Sequence, residues 1–95
     1  MAGVEGRVTL ITGAGRGIGH ATANLLASRG AHVMCVARSQ QELEKTGLEF
    51  SVADLGTIEG CASAVADTEQ RLGPIEILVC NHGIGSAHER VGWEQ

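Results

Sequence analysis

The sequence predicts an α/β domain, a parallel sheet with helices packed on it. Short apolar runs of strand length alternate with helical stretches, four of the first and three of the second. Glycines or capping residues punctuate nearly every junction between them. Apolar residues make up 43% of the 95, a globular proportion and too many for a disordered chain. Arg7 to Thr12 is a short β-branched run stopped by glycines, as a buried parallel strand reads. A helix follows to about Arg29, with Ile18, Ala21, Leu25 and Leu26 as its expected apolar face and Gly30 as its stop. His32 to Ala37 is the second strand. Ser39 caps a short polar helix through Glu44 or Lys45, and Gly47 closes it. Leu48 to Ala53 is a weaker third strand. Thr57 caps a helix to Leu72, whose expected apolar face is Ile58, Cys61, Ala62, Val65, Ala66 and Leu72. Gly73 and Pro74 break it, Ile75 to Cys80 is the fourth strand, and 81 to 95 reads as polar loop.

Composition excludes several classes. A net charge of −4 and a pI near 5.4 give no basic footprint for nucleic acid or an anionic membrane. No apolar run approaches the ~20 residues a membrane helix needs, and the first residues lack the layout of a signal peptide. Three widely spaced cysteines (Cys35, Cys61, Cys80) suit a reducing cytoplasm better than a disulfide framework. Cys80, His82 and His88 lack a fourth partner for zinc, so no metal site is expected. Cys35 and Cys80, on apolar strands, read as inert core thiols. His20 and His32 read as surface positions, and Trp93 as a packing residue.

The chemistry-bearing segment is Thr12-Gly-Ala-Gly-Arg-Gly-Ile-Gly19, between the first strand and first helix. Glycines there allow a tight turn, a close approach to a pyrophosphate and close seating of the helix on the sheet. The helix start then offers free N–H groups and the positive end of its dipole to phosphates. The P-loop pattern fails, because His20 and Ala21 stand where Lys and Ser or Thr are needed. G-x-G-x-x-G fails from either start, its last slot falling on Ile18 or His20. The spacing T-G-x-x-x-G-x-G fits, at Thr12, Gly13, Gly17 and Gly19.

This pattern resembles the short-chain dehydrogenase/reductase family. Val52-Ala-Asp-Leu55 resembles the family's segment after strand three, whose Asp meets the adenine. Gly73-Pro-Ile-Glu-Ile-Leu-Val79 is similar to its lead into strand four. Cys80-Asn-His-Gly83 sits where the family carries N-N-A-G, with Cys80 in place of the first Asn and His82 in place of Ala. The resemblance runs along essentially the whole chain. It implies a Rossmann-type doubly wound sheet, here four strands in order 3-2-1-4, and an oxidoreductase moving hydride between a nicotinamide and a carbonyl or secondary alcohol. It assigns cofactor contact to Gly13, Gly15, Arg16, Gly17, Ile18, Gly19, Arg38, Ser39, Asp54, Leu55, Asn81 and Gly83. Asn81 is expected to tie the loop after the fourth strand to the neighbouring strand's end.

In dinucleotide folds an acid about 20 residues past the loop binds the ribose 2′-OH and selects NAD. Here that position is Ala37, followed by Arg38 and Ser39. Arginine's planar donor fork suits a phosphate dianion, so Arg38 and Arg16 are expected to clamp a 2′-phosphate and favour NADP over NAD. The family's proton-relaying Tyr and Lys have no counterpart: there is no tyrosine, and Lys45, the sole lysine, lies on the polar helix. No catalytic residue is assigned. Residues 1–95 therefore read as the N-terminal part of one NAD(P)-binding domain, inactive alone, with its catalytic half absent. A carbonyl or alcohol substrate is expected only in a longer form, and a homo-oligomer stays open. The alternatives are a non-catalytic nucleotide-binding module that pairs its bare fourth strand with another chain, or another Rossmann enzyme such as a methyltransferase. The Thr-Gly spacing and Arg38 argue against the last.

Overall fold

The computed structural model describes residues 2–81. After a single 3-10 turn at Ala2–Val4, the elements alternate as the sequence predicts: β1 (Val8–Thr12), α1 (Gly17–Ser28), β2 (His32–Ala37), α2 (Gln40–Glu44), β3 (Glu49–Val52), α3 (Ile58–Arg71) and β4 (Ile77–Cys80). All pairings are parallel and the order is β3-β2-β1-β4. The chain thus steps outward from β1 to β3 on one side and returns to place β4 on the other. That reversal opens a crevice at the carboxyl ends of β1 and β4, where open α/β sheets take ligands.

Parallel strands must be covered on both faces, and the core divides accordingly. On the face carrying α1 and α2, Ile11, Val33 and Cys35 pack with Ala23, Ala31 and Leu43. On the opposite face Leu10, Met34 and Val36 pack under α3 with Ala53 and Ala64. Burying a side chain such as Ile11 or Met34 stabilises by about 1.5–3 kcal/mol. Cys35 is fully buried, as expected, and burial pushes its thiol up to about 11, a Thr46 hydroxyl hydrogen bond partly offsetting the shift. Cys80, by contrast, is exposed. It is the last residue of β4, the strand that pairs only with β1 among the described residues.

Both longer helices turn a different face to the sheet from the one that large apolar residues suggest. In α1 the buried residues are Gly19 and Ala23, with Leu26 and Ala27 beside them, while Ile18 and Leu25 are 76% and 53% exposed. In α3 they are Ala64 and Thr68, while Ile58 is 85% exposed and Cys61, Ala62, Val65 and Ala66 are exposed as well. Small residues let these helices lie close on the strands, and Thr68 satisfies its hydroxyl by donating to the Ala64 carbonyl at 2.7 Å. Arg71 pins the end of α3 to β3 through Glu49 and the Phe50 carbonyl. Cys61 and Val65 then line an apolar recess of about 310 Å³ with Leu10, Leu78 and Cys80. No helix of the described residues is long and apolar enough to cross a membrane.

Candidate functional site

The glycine loop runs from the end of β1 into α1. Gly13 and Gly17 take φ of +62° and +64°, which side-chain-bearing residues rarely adopt. The corner is anchored on both sides. Ala14 N–H donates to the Val36 carbonyl of β2 at 3.2 Å. From β4, Asn81 donates its backbone N–H to Thr12 Oγ1 at 3.0 Å and its Nδ2 to the Gly13 carbonyl at 3.2 Å. Asn81 therefore ties the ends of β4 and β1 together and orients the loop's first peptide. Gly19 lies against that same peptide: a Cβ on it would collide with the Gly13 carbonyl.

The start of α1 is bare. Arg16 occupies the N-cap in extended conformation, and no side chain caps the helix. The first intrahelical bond is His20 N–H to the Arg16 carbonyl, so the N–H groups of Gly17, Ile18 and Gly19 have no acceptor within the helix. Aligned peptide dipoles add partial positive charge at this end. Three donors, a positive field and glycine backbone at the carboxyl edge of the sheet fit a pyrophosphate by their own chemistry. Dinucleotide phosphates would be held there by Gly15 to Gly19.

The other sequence-assigned residues sit at neighbouring strand ends. Arg38 follows β2 and is exposed, and Ser39 Oγ accepts the Glu42 N–H at 3.3 Å as the cap of α2. Asp54 follows β3. Its Oδ1 accepts the Gly56 N–H at 2.9 Å, which fixes one carboxylate oxygen within its own turn. The Leu55 side chain packs into the α3 core, leaving only its backbone at the edge. The loop and Asn81 are thus in direct contact, Arg38 and Ser39 stand one strand away, and Asp54 two. Gly83, His82, His88 and Trp93 lie outside the described residues. The sequence reading passed over Glu42. Its carboxylate is 3.8 Å from the Arg16 guanidinium, and its Oε1 is 2.9 Å from where a Cβ on Gly15 would stand. Ser39-x-x-Glu42 is a capping-box spacing, the one sequence signal that marks this glutamate.

Comparison with known proteins gives a consistent result. A family model described as short chain dehydrogenase matches residues 7–94. Among curated proteins, 2,3-dihydro-2,3-dihydroxybenzoate dehydrogenase of Bacillus subtilis is 37% identical over 91 residues, covering 86% of this chain and 35% of that protein. L-xylulose reductase of Mesocricetus auratus is 37% identical over 87 residues, covering 86% and 34%. The chain thus spans about a third of the length of these relatives. Among solved structures, apo glucose dehydrogenase of Caenorhabditis elegans superposes with a TM-score of 0.80 at 32% identity, over 94% of this chain and 42% of that one. A 3-ketoacyl-(acyl-carrier-protein) reductase from Brucella melitensis, solved with NADH, gives 0.76 at 32% identity, over 79% and 34%. An actinorhodin polyketide ketoreductase variant, solved with NADPH, gives 0.75 at 31% identity, over 79% and 32%.

Proposed function

The chain belongs to the short-chain dehydrogenase family, and from that premise we propose that residues 1–95 are the dinucleotide-holding part of an NADP-preferring oxidoreductase acting on a carbonyl or secondary alcohol. The observation that carries this reading is the uncapped start of α1, seated through Gly19 on a peptide that Asn81 orients. A bound nicotinamide dinucleotide supplies a hydride donor or acceptor. Gly15 to Gly19 would hold its diphosphate, Asp54 and the Leu55 backbone would meet its adenine, and Asn81, at the β1–β4 crevice, would contact it, with Gly83 a further contact on the family resemblance. Proton transfer requires a group within hydrogen-bond reach. Residues 1–95 contain no tyrosine, and none of them is assigned that role.

The preference for NADP rests on charge. Ala37 stands at the strand end where an acid would select NAD, Arg38 follows it directly, and Arg16 lies in the glycine loop. Titrating the chain with NADPH and NADH tests this, with an expected NADPH preference of about tenfold or more, the scale of one charge-assisted contact. Arg38→Asp reverses the preference on this account. A variant that still favours NADPH rejects it.

A second reading, a non-catalytic module that covers β4 with another chain, is favoured by the 57% exposure of Leu78 on that edge strand. The mass of the native polypeptide separates the two. A product of the relatives' length supports the enzyme, and one of this chain's length supports the module.

A further inference from the structure

Glu42 has no part in the reading above, yet two contacts bring it to the loop. Its backbone N–H rests on the Ser39 cap, which fixes it as the third residue of α2. Its carboxylate leaves that helix and reaches back across 26 residues of sequence to the Arg16 guanidinium, 3.8 Å away. The approach runs alongside Gly15, where a Cβ would stand only 2.9 Å from Glu42 Oε1 and 3.0 Å from Glu42 Cβ. Any larger residue at position 15 would force the Glu42 side chain to shift. The glycine and the ion pair are thus one arrangement, in which the loop is seated on α2.

We propose that Glu42 sets how strongly the protein discriminates between dinucleotides with and without a 2′-phosphate, because it holds the arginine that the phosphate needs. This rests on the reading that Arg16 faces the 2′-phosphate. The ion pair is well exposed on the arginine side, 85% against 36% for the glutamate, so water screens it and it exchanges readily. A phosphate dianion offers Arg16 more acceptor oxygens and more charge than a carboxylate. To take them, Arg16 must leave Glu42, and the freed carboxylate then stands as a like charge beside the phosphate. Both effects weaken binding of the 2′-phosphorylated cofactor. A dinucleotide with a free 2′-OH makes no demand on Arg16 and meets neither.

Calorimetric titration of the whole chain with NADP+ and NAD+ tests the proposal through a four-protein cycle: wild type, Glu42→Gln, Arg16→Gln and the double variant. Glutamine keeps the size of Glu42 and its place in α2, and circular dichroism checks that each variant folds. The expected result is an NADP+ to NAD+ affinity ratio about three- to fivefold higher in Glu42→Gln, the scale of one screened charge. That gain shrinks below about twofold when Arg16 is already Gln. A ratio that stays level or falls in Glu42→Gln, in a protein whose ratio does drop with Arg16→Gln, overturns the role of Glu42 alone. A gain of equal size in both backgrounds overturns the route through Arg16. If Arg16→Gln and Arg38→Asp both leave the wild-type ratio unchanged, the reading of the arginines has failed first, and the role of Glu42 falls with it.

Discussion

At the corner between β1 and α1 the third helical residue, Gly19, sits against the carbonyl of Gly13. At the corner between β3 and α3 the third helical residue, Gly60, sits against the carbonyl of Asp54. Both glycines lie six residues past the carbonyl they touch, and both corners hang on β2, through Ala14 N–H to Val36 and Ala53 N–H to Ala37. The plan is shared, but the polar finish differs. At the second corner Thr57 Oγ1 accepts the Gly60 N–H at 2.9 Å and donates to the Asp54 carbonyl at 3.0 Å, while Asp54 Oδ1 takes the Gly56 N–H. At the first, Arg16 stands where Thr57 stands and caps nothing. A helix cap is worth about 1 kcal/mol, so the first corner forgoes stability that one hydroxyl would have supplied. The same backbone is a closed structural joint with Thr57 and an open set of donors with Arg16.

The largest test of this comparison breaks both corners alike. Gly19→Ala and Gly60→Ala each force a methyl into a carbonyl, and each is expected to cost about 1–3 kcal/mol in urea unfolding. Gly19→Ala should also weaken NADP+ binding by about tenfold or more, whereas Gly60→Ala, which disturbs only the adenine end through Asp54, should weaken it by no more than about threefold. Equal losses of affinity would mean that the corners do not divide the work.

The strand that carries both corners gives the next effect. Cys35, buried in β2, has its thiol raised to about 11 by burial, above its ordinary value of 9.0. The unfolded chain loses that proton first as pH rises, so this contribution is complete below about 9 and is lost as pH rises through about 11. It is on the order of 3 kcal/mol. Urea unfolding across that range should show the decline, and Cys35→Ala should flatten it.

A smaller effect comes from converting one finish into the other. Arg16→Ser installs a cap on α1 and should raise stability by about 0.5–1 kcal/mol. NADP+ affinity should fall about tenfold as the arginine's contact is lost. A variant that gains stability and keeps its affinity would separate the missing cap from ligand binding. The smallest effect is the converse: Thr57→Ala should lose about 1 kcal/mol by thermal or urea unfolding and leave NADP+ affinity within about twofold.

Strand positions and order were legible because parallel strands are short apolar runs between glycines, and Thr12 to Gly19 was legible because its glycines are local in sequence. The helix faces were not. A pattern of large apolar residues picks Ile18 and Leu25, or Ile58 and Val65, but helices pressed close on a sheet bury what is small. Gly19, Ala23, Ala64 and Thr68 carry almost no such signal. Glu42 was illegible for another reason. Its partner Arg16 is far away in the chain, and nothing in either neighbourhood announces the pairing. Cys80 read as core because β4 is apolar, yet its side chain falls on the uncovered part of the α3 face, beside the recess.

On the proposed function, the bare helix start at Gly17 to Gly19 receives the dinucleotide phosphates. Amide proton–nitrogen correlation spectra of the chain titrated with NADP+ test it most directly. The largest shifts are expected at the amides of Gly17, Ile18 and Gly19, with smaller ones beside Asp54 where the adenine is proposed to lie and little change at Gly60, whose N–H is already donated to Thr57. Saturating shifts centred on Gly56 to Gly60, with the α1 amides unmoved, would contradict it.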